Sequence, residues 1–498
     1  MNASVSPGTE VRAHWSLVAG ALLATYMQAL NISIPNAAVL HVQGGLSMTD
    51  DEIGWVFSSY IAASAIVMPM THWLAGRFGR KMVFQLSLAL FSVALILDTL
   101  ATTPLQFVSA RILQGAASGT LAPLSMAILL HELPPLRHGR IGTAWSVTAL
   151  LGILSGPAIG GWLGEYVGWH SIFYISLPMA GFIAVAMGVY LKEKKLGKRE
   201  HFDFFGLLTF SMGIAGLQML LDRGERMEWF ASPEIWAEAI ASALGFYLYT
   251  VHVLTKDEHF LNKALFKDRN FGLATVMFFV FGFVLLPTLA LTSPMLEELL
   301  GYPADTAGYL SIPRGAALVS ALLLTWRAPK RLDNRLLIIG GLALVVYGNW
   351  RMLGYSPLMD WWPVAAAGAI QGAGLGMMMP ALTRAAFSTL DPRFRAEGTV
   401  LFNLSRLYGS TIGIAIVQVF FFNNTQSMHL ALANNLRPYV VGSPSASALS
   451  AQVLAAMNDL VTGQAAVVAV IGQFKLLMIA MLIVSPLVLF LRKPRSGN

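Results

Sequence analysis

The sequence predicts an all-α membrane protein built from a duplicated helical unit. Of its 498 residues, 56% are hydrophobic and only 12% are charged, a balance foreign to water-soluble domains. A Gln-Gly-x3-Gly-x3-Pro motif begins at Gln114 and again at Gln371, 257 positions later (371 minus 114), and Gly152 and Gly156 recur at the same offset as Gly409 and Gly413. Parallel helical repeats place a substrate site between two halves in several secondary transporters. The repeat therefore predicts transport.

Windows of about 20 residues, the length that crosses about 30 Å of hydrocarbon, predict fourteen transmembrane helices. Their centres lie near Ala24, Ala63, Leu90, Leu121, Leu151, Phe182, Gly213, Leu244, Phe281, Leu318, Leu342, Gly374, Ile412 and Ile479. The first segment runs past signal-peptide length with no small-residue cleavage site before Asn31, so we expect it to remain as the first helix.

Loop charges predict the orientation, because cytoplasmic loops are enriched in Lys and Arg. Alternate loops are basic, and they include residues 77–81, 137–140, 192–199, 256–269, 327–335, 393–395 and 492–495. The other loops are acidic or mixed, as at residues 50–52, 222–228 and 297–305. Both termini are therefore predicted to be cytoplasmic.

The order of the segments predicts six helices, two inserted helices and six more. The basic run at residues 192–199 follows the sixth segment, whereas the repeat resumes only after Asn270. We expect an N-terminal six-helix bundle at residues 1–193, two linker helices at 194–262 and a C-terminal bundle at 263–498. A long loop at about 423–463 is predicted on the outer face.

Several function classes lack their sequence signatures. The chain has no cysteine, and therefore no disulfide, thiolate metal site or thiol nucleophile. It also has no Gly-x4-Gly-Lys-Ser/Thr loop, no His-Glu-x2-His and no Gly-x-Ser-x-Gly. We expect a secondary transporter, neither an enzyme nor an ATP-driven pump, with no cofactor and no metal.

Two motifs resemble a known family. Residues 73–81 (Trp-Leu-Ala-Gly-Arg-Phe-Gly-Arg-Lys) are similar to the major facilitator signature, and Gly152, Gly156, Pro157, Gly160 and Gly161 to the antiporter signature of helix five. Residues 27–31 and 221–224 resemble the fourteen-helix drug:proton antiporters of the EmrB/QacA type, closest to the EmrB branch. The resemblance implies a major facilitator fold and multidrug efflux by alternating access in exchange for protons. It also implies a bacterial inner membrane location, with a periplasmic adaptor protein and an outer-membrane channel as partners.

The motifs suggest a gate and a movable contact. Arg77, Gly79, Arg80 and Lys81 are predicted to form a gate that pairs with carboxylates in one conformation, although simple topology charges are the alternative. The helix-five glycines recur every four residues, and Pro157 permits a bend. Close backbone approach is therefore expected there, with ordinary helix packing as the alternative.

A set of polar and ionisable residues within the helices is predicted to line the substrate cavity. An intramembrane charge costs at least about 2.5 kcal/mol unless it faces a cavity or a partner. The predicted residues are Gln28, Asn31, Asn36, Arg111, Gln114, Arg314, Gln371, Arg384, Asn403 and Arg406. Structural hydrogen bonds between helices are the alternative for each. Arg111→Ala is expected to abolish export while leaving expression intact.

The sequence offers three candidate carboxylates for proton coupling and does not choose between them. Asn31 stands where the family has an aspartate, and an amide cannot carry the proton. The candidates are Asp98, Glu132 and Glu165. A cavity lined by arginines would also attract anionic amphiphiles. Two functions therefore compete: a proton-coupled multidrug exporter, and a facilitator or dedicated exporter of an anionic metabolite or fatty acid. A transport-inactive sensor is a third alternative.

Overall fold

The structure is a computed structural model. It describes residues 15–49, 52–134, 138–193, 203–224, 227–256, 264–328, 333–357, 359–391, 394–435 and 451–492, and these contain helices but no strand. The helices before residue 193 are α1 (Trp15–Ser33), α2 (Val39–Leu46), α3 (Trp55–Val67), α4 (Thr71–Phe78), α5 (Arg80–Leu100), α6 (Pro104–Glu132), α7 (His138–Tyr166), α8 (Ser171–Tyr174) and α9 (Ser176–Tyr190).

The remaining helices are α10 (Phe204–Arg223), α11 (Pro233–Thr255), α12 (Ala264–Lys267), α13 (Arg269–Pro294), α14 (Ala304–Leu310), α15 (Ile312–Arg327), α16 (Asn334–Met352), α17 (Trp361–Phe387), α18 (Arg395–Asn435) and α19 (Ala451–Val484). Short 3-10 segments occupy Ile34–Ala37, Met68–Met70, Trp229–Ala231 and Ser485–Phe490, and a π-helical turn follows α13 at Met295–Leu299.

Within the described residues, twelve helices are long and apolar enough to cross a membrane, and the apolar helix Trp55–Met70 is shorter. This shorter helix consists of α3 and the 3-10 turn Met68–Met70, which leads into α4. Pro69 in the turn lacks the amide that would continue the regular hydrogen bonds. The chain is a multi-pass membrane protein.

The buried apolar side chains form two clusters, which define two lobes. The first draws mainly on residues between Leu17 and Leu191, and the second on residues between Leu265 and Leu491. Within each lobe, an equivalent pair of helices packs closely at the repeated glycines. Gly119 of α6 faces the Ser64 backbone, as Gly376 of α17 faces that of Leu318.

The lobes touch at one end of the bundle, which we call the acidic end because Glu165, Glu297 and Asp305 lie there. A Cβ built on Gly161 of α7 would overlap the backbone oxygen of Ala304, the first residue of α14. The Tyr166 hydroxyl donates to Asp305 Oδ2 at 3.0 Å. We call the opposite end, which carries Arg77, Arg80 and Lys81, the basic end.

Helices α10 and α11 form a hairpin beside the two lobes. Ser242 Oγ donates to the Gly213 carbonyl at 3.0 Å, and Arg223 Nη1 lies 2.9 Å from Glu238 Oε1. The ring of Phe210 meets Tyr408 of α18 edge-on, with 5.5 Å between centroids. The hairpin therefore packs against the side of the bundle.

The prediction of a long loop at about 423–463 is wrong, because two long helices occupy most of this range. α18 continues through Asn435 and α19 begins at Ala451, while residues 436–450 lie outside the described residues. His429 Nε2 and Asn458 Oδ1 are 3.1 Å apart, so the two helices pair beyond their apolar parts. The sequence misled here because a hydropathy window detects apolar segments and misses polar continuations of the same helix.

Candidate substrate cavity

A cavity of about 1720 Å³ lies between the two lobes. Its walls are mostly apolar, with Trp145, Phe278 and Trp326 among the large side chains that line it. This volume exceeds that of typical small-molecule pockets, about 300–1,000 Å³. The cavity can therefore admit amphipathic molecules of varied size.

The two repeats contribute the same positions to this cavity. Nine lining residues of α6 and α7 have a lining counterpart in α17 or α18 that is 257 positions later. The pairs are Ala122 and Met379, Pro123 and Pro380, Met126 and Thr383, Ala127 and Arg384, Leu130 and Phe387, Gly142 and Thr399, Trp145 and Phe402, Ser146 and Asn403, and Ala149 and Arg406. The cavity wall therefore has the internal symmetry of the repeat.

The cavity opens at the basic end. Its lining includes Arg80, Asp203, Lys256 and Glu397, which lie at or beside helix termini there. At the acidic end α7 and α14 close against each other. Besides the Gly161 contact, a Cβ built on Gly308 would overlap the Pro157 carbonyl oxygen. The structure is one access state, open at one end and closed at the other.

Four of the ten predicted cavity residues line the cavity: Gln28, Arg384, Asn403 and Arg406. Arg384 Nη2 donates to the Thr325 carbonyl at 3.1 Å, and Asn403 Nδ2 donates to that of Thr399 at 2.9 Å. The buried Nη1 of Arg406 has no hydrogen-bond acceptor in the described part of the chain. Because Arg406 also lines the cavity, a small movement of its side chain would bring this donor to a ligand.

The other six are corrected, because Asn31, Asn36, Arg111, Gln114, Arg314 and Gln371 do not line the cavity. Arg111 is fully buried, and its Nε donates to the Val56 carbonyl at 3.0 Å. Both terminal nitrogens donate to the Asn31 carbonyl at 3.3 Å, and Gln114 Oε1 accepts a further bond. These bonds hold α1, α3 and α6 together, so the guanidinium is used in hydrogen bonds within the first lobe.

The other four residues that do not line the cavity are also buried inside the protein. Asn31 Nδ2 donates to Ser176 Oγ at 2.8 Å and thereby links α1 to α9. In the second lobe, Gln371 Nε2 donates to Asn349 Oδ1 at 3.1 Å, and Arg314 Nη2 donates to the Leu285 carbonyl at 3.1 Å. Asn36 is buried in the 3-10 turn Ile34–Ala37. The structural alternative, hydrogen bonding between helices, fits the positions of Asn31, Arg314 and Gln371.

The three carboxylates considered for proton coupling differ in their surroundings. Glu132 lies 3.2 Å from its neighbour His131, and Glu165 lies 3.7 Å from His41; both are partly exposed at helix ends. Asp98 is fully buried, and neither of its oxygens has a hydrogen-bond partner within the described residues. It interacts electrostatically with Arg111 and Tyr60.

The predicted gate residues make their contacts within the first lobe. Gly79 has φ 92°, which favours glycine, at the turn between α4 and α5. Lys81 Nζ donates to the Gly188 carbonyl at 2.5 Å, and Arg77 lies 5.8 Å from the Trp73 ring centroid. Arg80 lines the cavity mouth. The gating role stays a prediction.

Sequence reasoning missed a carboxylate, that of Glu193, which contacts this turn. The Met82 amide donates to Glu193 Oε2 at 3.2 Å, and a Cβ at Gly79 would overlap the same carboxylate. Glu193 was visible in the sequence as the one acid within the basic run after α9. It also missed Trp145 and Phe402, which the 257-residue offset would have paired had it been extended from the glycines to their neighbours.

The residues of the helix-five motif make two kinds of contact, one within the first lobe and one with the second lobe. Gly152 and Gly160 face the backbone oxygens of Tyr26 and Ile34, and Gly156 faces Ser33, so these three pack α7 against its own lobe. Gly161 and the Pro157 carbonyl instead meet the other lobe. Packing and inter-lobe contact therefore occur in one motif.

A family model matches most of the chain. The model described as Major Facilitator Superfamily matches residues 21–414. The chain belongs to the Major Facilitator Superfamily. Among solved members of this fold, a variant of the nucleoside transporter NupG superposes with a TM-score of 0.62 at 11% identity, covering 96% of this chain and 100% of that chain. A bacterial homologue of the human lysosomal transporter Spinster, in an inward-facing and unoccupied conformation, gives 0.62 at 14% identity, covering 98% and 100%.

The sequence relatives include proteins named for multidrug export and for fatty acid resistance. The chain is 29% identical over 426 residues to the multidrug export protein EmrB of Haemophilus influenzae, covering 84% of this chain and 82% of that protein. Identity to EmrB of Escherichia coli K12 is 29% over 433 residues, covering 86% and 84%. Identity to the fatty acid resistance protein FarB of Neisseria gonorrhoeae is 30% over 419 residues, covering 84% and 82%.

Proposed function

We propose that this major facilitator exports amphipathic toxic compounds by alternating access. The observation that carries the proposal is the apolar cavity shared by both repeats, open at the basic end and closed at the acidic end. The names of the relatives, EmrB and FarB, support export of drugs and of fatty acids. A cavity lined by aromatic and methionine side chains can repack around different ligands.

We further propose fourteen transmembrane helices in a six, two, six arrangement. The bundles at residues 1–193 and 263–498 would flank the linker helices at 194–262, in keeping with the separate hydrophobic cores of the two lobes. The enrichment of Lys and Arg at the basic end supports a cytoplasmic location for that end in a bacterial inner membrane. Both chain termini, which lie outside the described residues, would then be cytoplasmic.

The adaptor protein and outer-membrane channel remain proposed partners. The 41 residues of α18 correspond to about 60 Å at about 1.5 Å per residue, twice the hydrocarbon thickness of about 30 Å. With α19 it extends beyond the acidic end, which faces the periplasm in the proposed orientation. Such a helical projection offers an adaptor a rigid surface.

We infer that export is coupled to protons through Asp98. A carboxyl group in hydrocarbon without hydrogen-bond donors favours its neutral form, whereas contact with water and the nearby positive charge of Arg111 favours the anion. Arg111 of α6 and Tyr60 of α3 are the titratable groups that act on Asp98 in the described residues. A conformational change that hydrates this cluster would therefore release the proton.

Asp98→Asn is expected to uncouple transport from the pH gradient. The amide is nearly isosteric and cannot exchange a proton, so the fold should persist while the driving force is lost. Proteoliposomes of the wild type should accumulate a fluorescent amphiphile only with a pH gradient. The variant should lose this accumulation and retain counterflow between pre-loaded and external substrate.

Glu132→Gln is the matched control, because its carboxylate is partly exposed at a helix end. It should accumulate substrate like the wild type. Gradient-driven accumulation by Asp98→Asn would exclude Asp98 as the coupling group. Gradient-independent flux by the wild type would favour the facilitator, and no flux at all would favour a sensor.

Single thiols can test the direction of the opening, because the natural chain has no cysteine. Ser146 lines the cavity, whereas Ser118 is fully buried within the first lobe. A membrane-impermeant maleimide should label Ser146→Cys in inside-out vesicles much faster than in right-side-out vesicles. Ser118→Cys should resist labelling from both sides. Preferential labelling of Ser146→Cys from the periplasmic side would contradict the proposed orientation of the open state.

A further inference from the structure

The two walls of the cavity differ in charge although they are built from equivalent positions. On α6 and α7 the lining residues Ala127 and Ala149 carry methyl groups. Their counterparts 257 positions later, on α17 and α18, are Arg384 and Arg406. The symmetric backbone thus presents two methyl groups on one wall and two guanidinium groups on the other.

These guanidinium groups retain hydrogen-bonding capacity. Arg384 donates to the Thr325 carbonyl through Nη2, but its buried Nε has no acceptor within the described residues. Arg406 Nη1 is likewise buried without an acceptor in that part of the chain. A buried donor left without a partner is costly, so a ligand that supplies an acceptor gains binding energy.

The carboxylates that line the cavity lie towards its mouth. Asp203 Oδ1 is 2.8 Å from His252 Nε2, beside the beginning of α10. Glu397 lies in the first turn of α18, nine residues before Arg406, which is about 13 Å along a helix axis. No ion pair joins Arg384 or Arg406 to a carboxylate within the described residues, so an anion from outside the protein can neutralise their charge.

We propose that Arg384 and Arg406 form an anion-binding subsite that takes the carboxylate of an amphipathic ligand. The hydrocarbon part of the ligand packs against the facing wall, where Met126, Trp145 and Ala149 are apolar. Charge-assisted hydrogen bonds to a guanidinium are stronger than neutral ones, which gives the carboxylate its preference. The inference rests on the proposed function, since it names the substrate class for the same cavity.

The test compares a fluorescent fatty acid with its neutral ester. Dansylaminoundecanoic acid and its methyl ester are titrated onto the protein in nanodiscs, with empty nanodiscs subtracted, at an alkaline pH that keeps the acid ionised. Arg406→Gln and Arg384→Gln should each weaken binding of the acid about tenfold or more, and binding of the ester by less than about twofold. Arg406→Lys, which keeps the charge, should retain the preference for the acid.

Arg351→Gln is the matched control, because Arg351 is exposed in the last turn of α16, outside the cavity lining, and should leave both affinities unchanged. Equal binding of acid and ester to the wild type would overturn the subsite, as would an equal loss for both probes in the variants. Binding and export confined to neutral or cationic amphiphiles would overturn the subsite and leave the proposed exporter intact. Failure to bind or export probes of any charge would overturn the proposed function itself.

Discussion

Gly161→Val is expected to abolish export while the protein still folds. The side chain would overlap the Ala304 carbonyl in the opposite lobe, so the acidic end could no longer close in the observed way. Contacts within the first lobe are less affected, because the new Cβ would lie 3.3 Å from the Ala37 Cβ, a milder contact than the overlap with Ala304. The balance between the two access states should therefore shift towards the one open at the acidic end.

Thiol labelling measures this shift. In a Gly161→Val background, the cysteine of Ser146→Cys should react faster from right-side-out vesicles and more slowly from inside-out vesicles. Gly181→Val is the matched control, since a Cβ at Gly181 meets nothing within 4 Å. Unchanged export and labelling in Gly161→Val would show that closure at this contact is not required for transport.

Arg111→Ala is expected to destabilise the protein as well as to stop export. The substitution removes four hydrogen bonds and leaves the Val56 and Asn31 carbonyls and Gln114 Oε1 without that donor in a fully buried place. A buried acceptor that loses its partner costs about 1–3 kcal/mol. This replaces the sequence-based expectation that expression would stay intact.

Thermal unfolding in detergent should report the loss, with a clearly lower midpoint and reduced yield for Arg111→Ala. Arg384→Ala is the comparison, because its one bond within the described residues, to Thr325, leaves the helix framework in place. We expect its midpoint to stay close to that of the wild type. An unchanged midpoint for Arg111→Ala would refute the structural role assigned here to the guanidinium.

Arg111 and Arg406 show how much of the site could be predicted from the sequence. Hydropathy and the 257-residue repeat were sufficient to predict a helical membrane protein with a cavity between two halves. They could not distinguish Arg111 from Arg406, because both lie inside apolar helices. Only the packing of neighbours decides which face of a helix is enclosed and which borders the cavity. Asp98 illustrates the same limit, since its place near a helix end gave no sign of its complete burial.

Because α18 is long, a small rotation near the cavity produces a large displacement at its far end. Arg406 lines the cavity, and the helix continues for 29 residues (435 minus 406) to Asn435, about 44 Å along its axis. A tilt of only a few degrees near the cavity would displace that distant tip by several ångströms. Ligand occupancy can thus become a mechanical signal outside the membrane, readable as a distance change between labels on α18 and the first lobe.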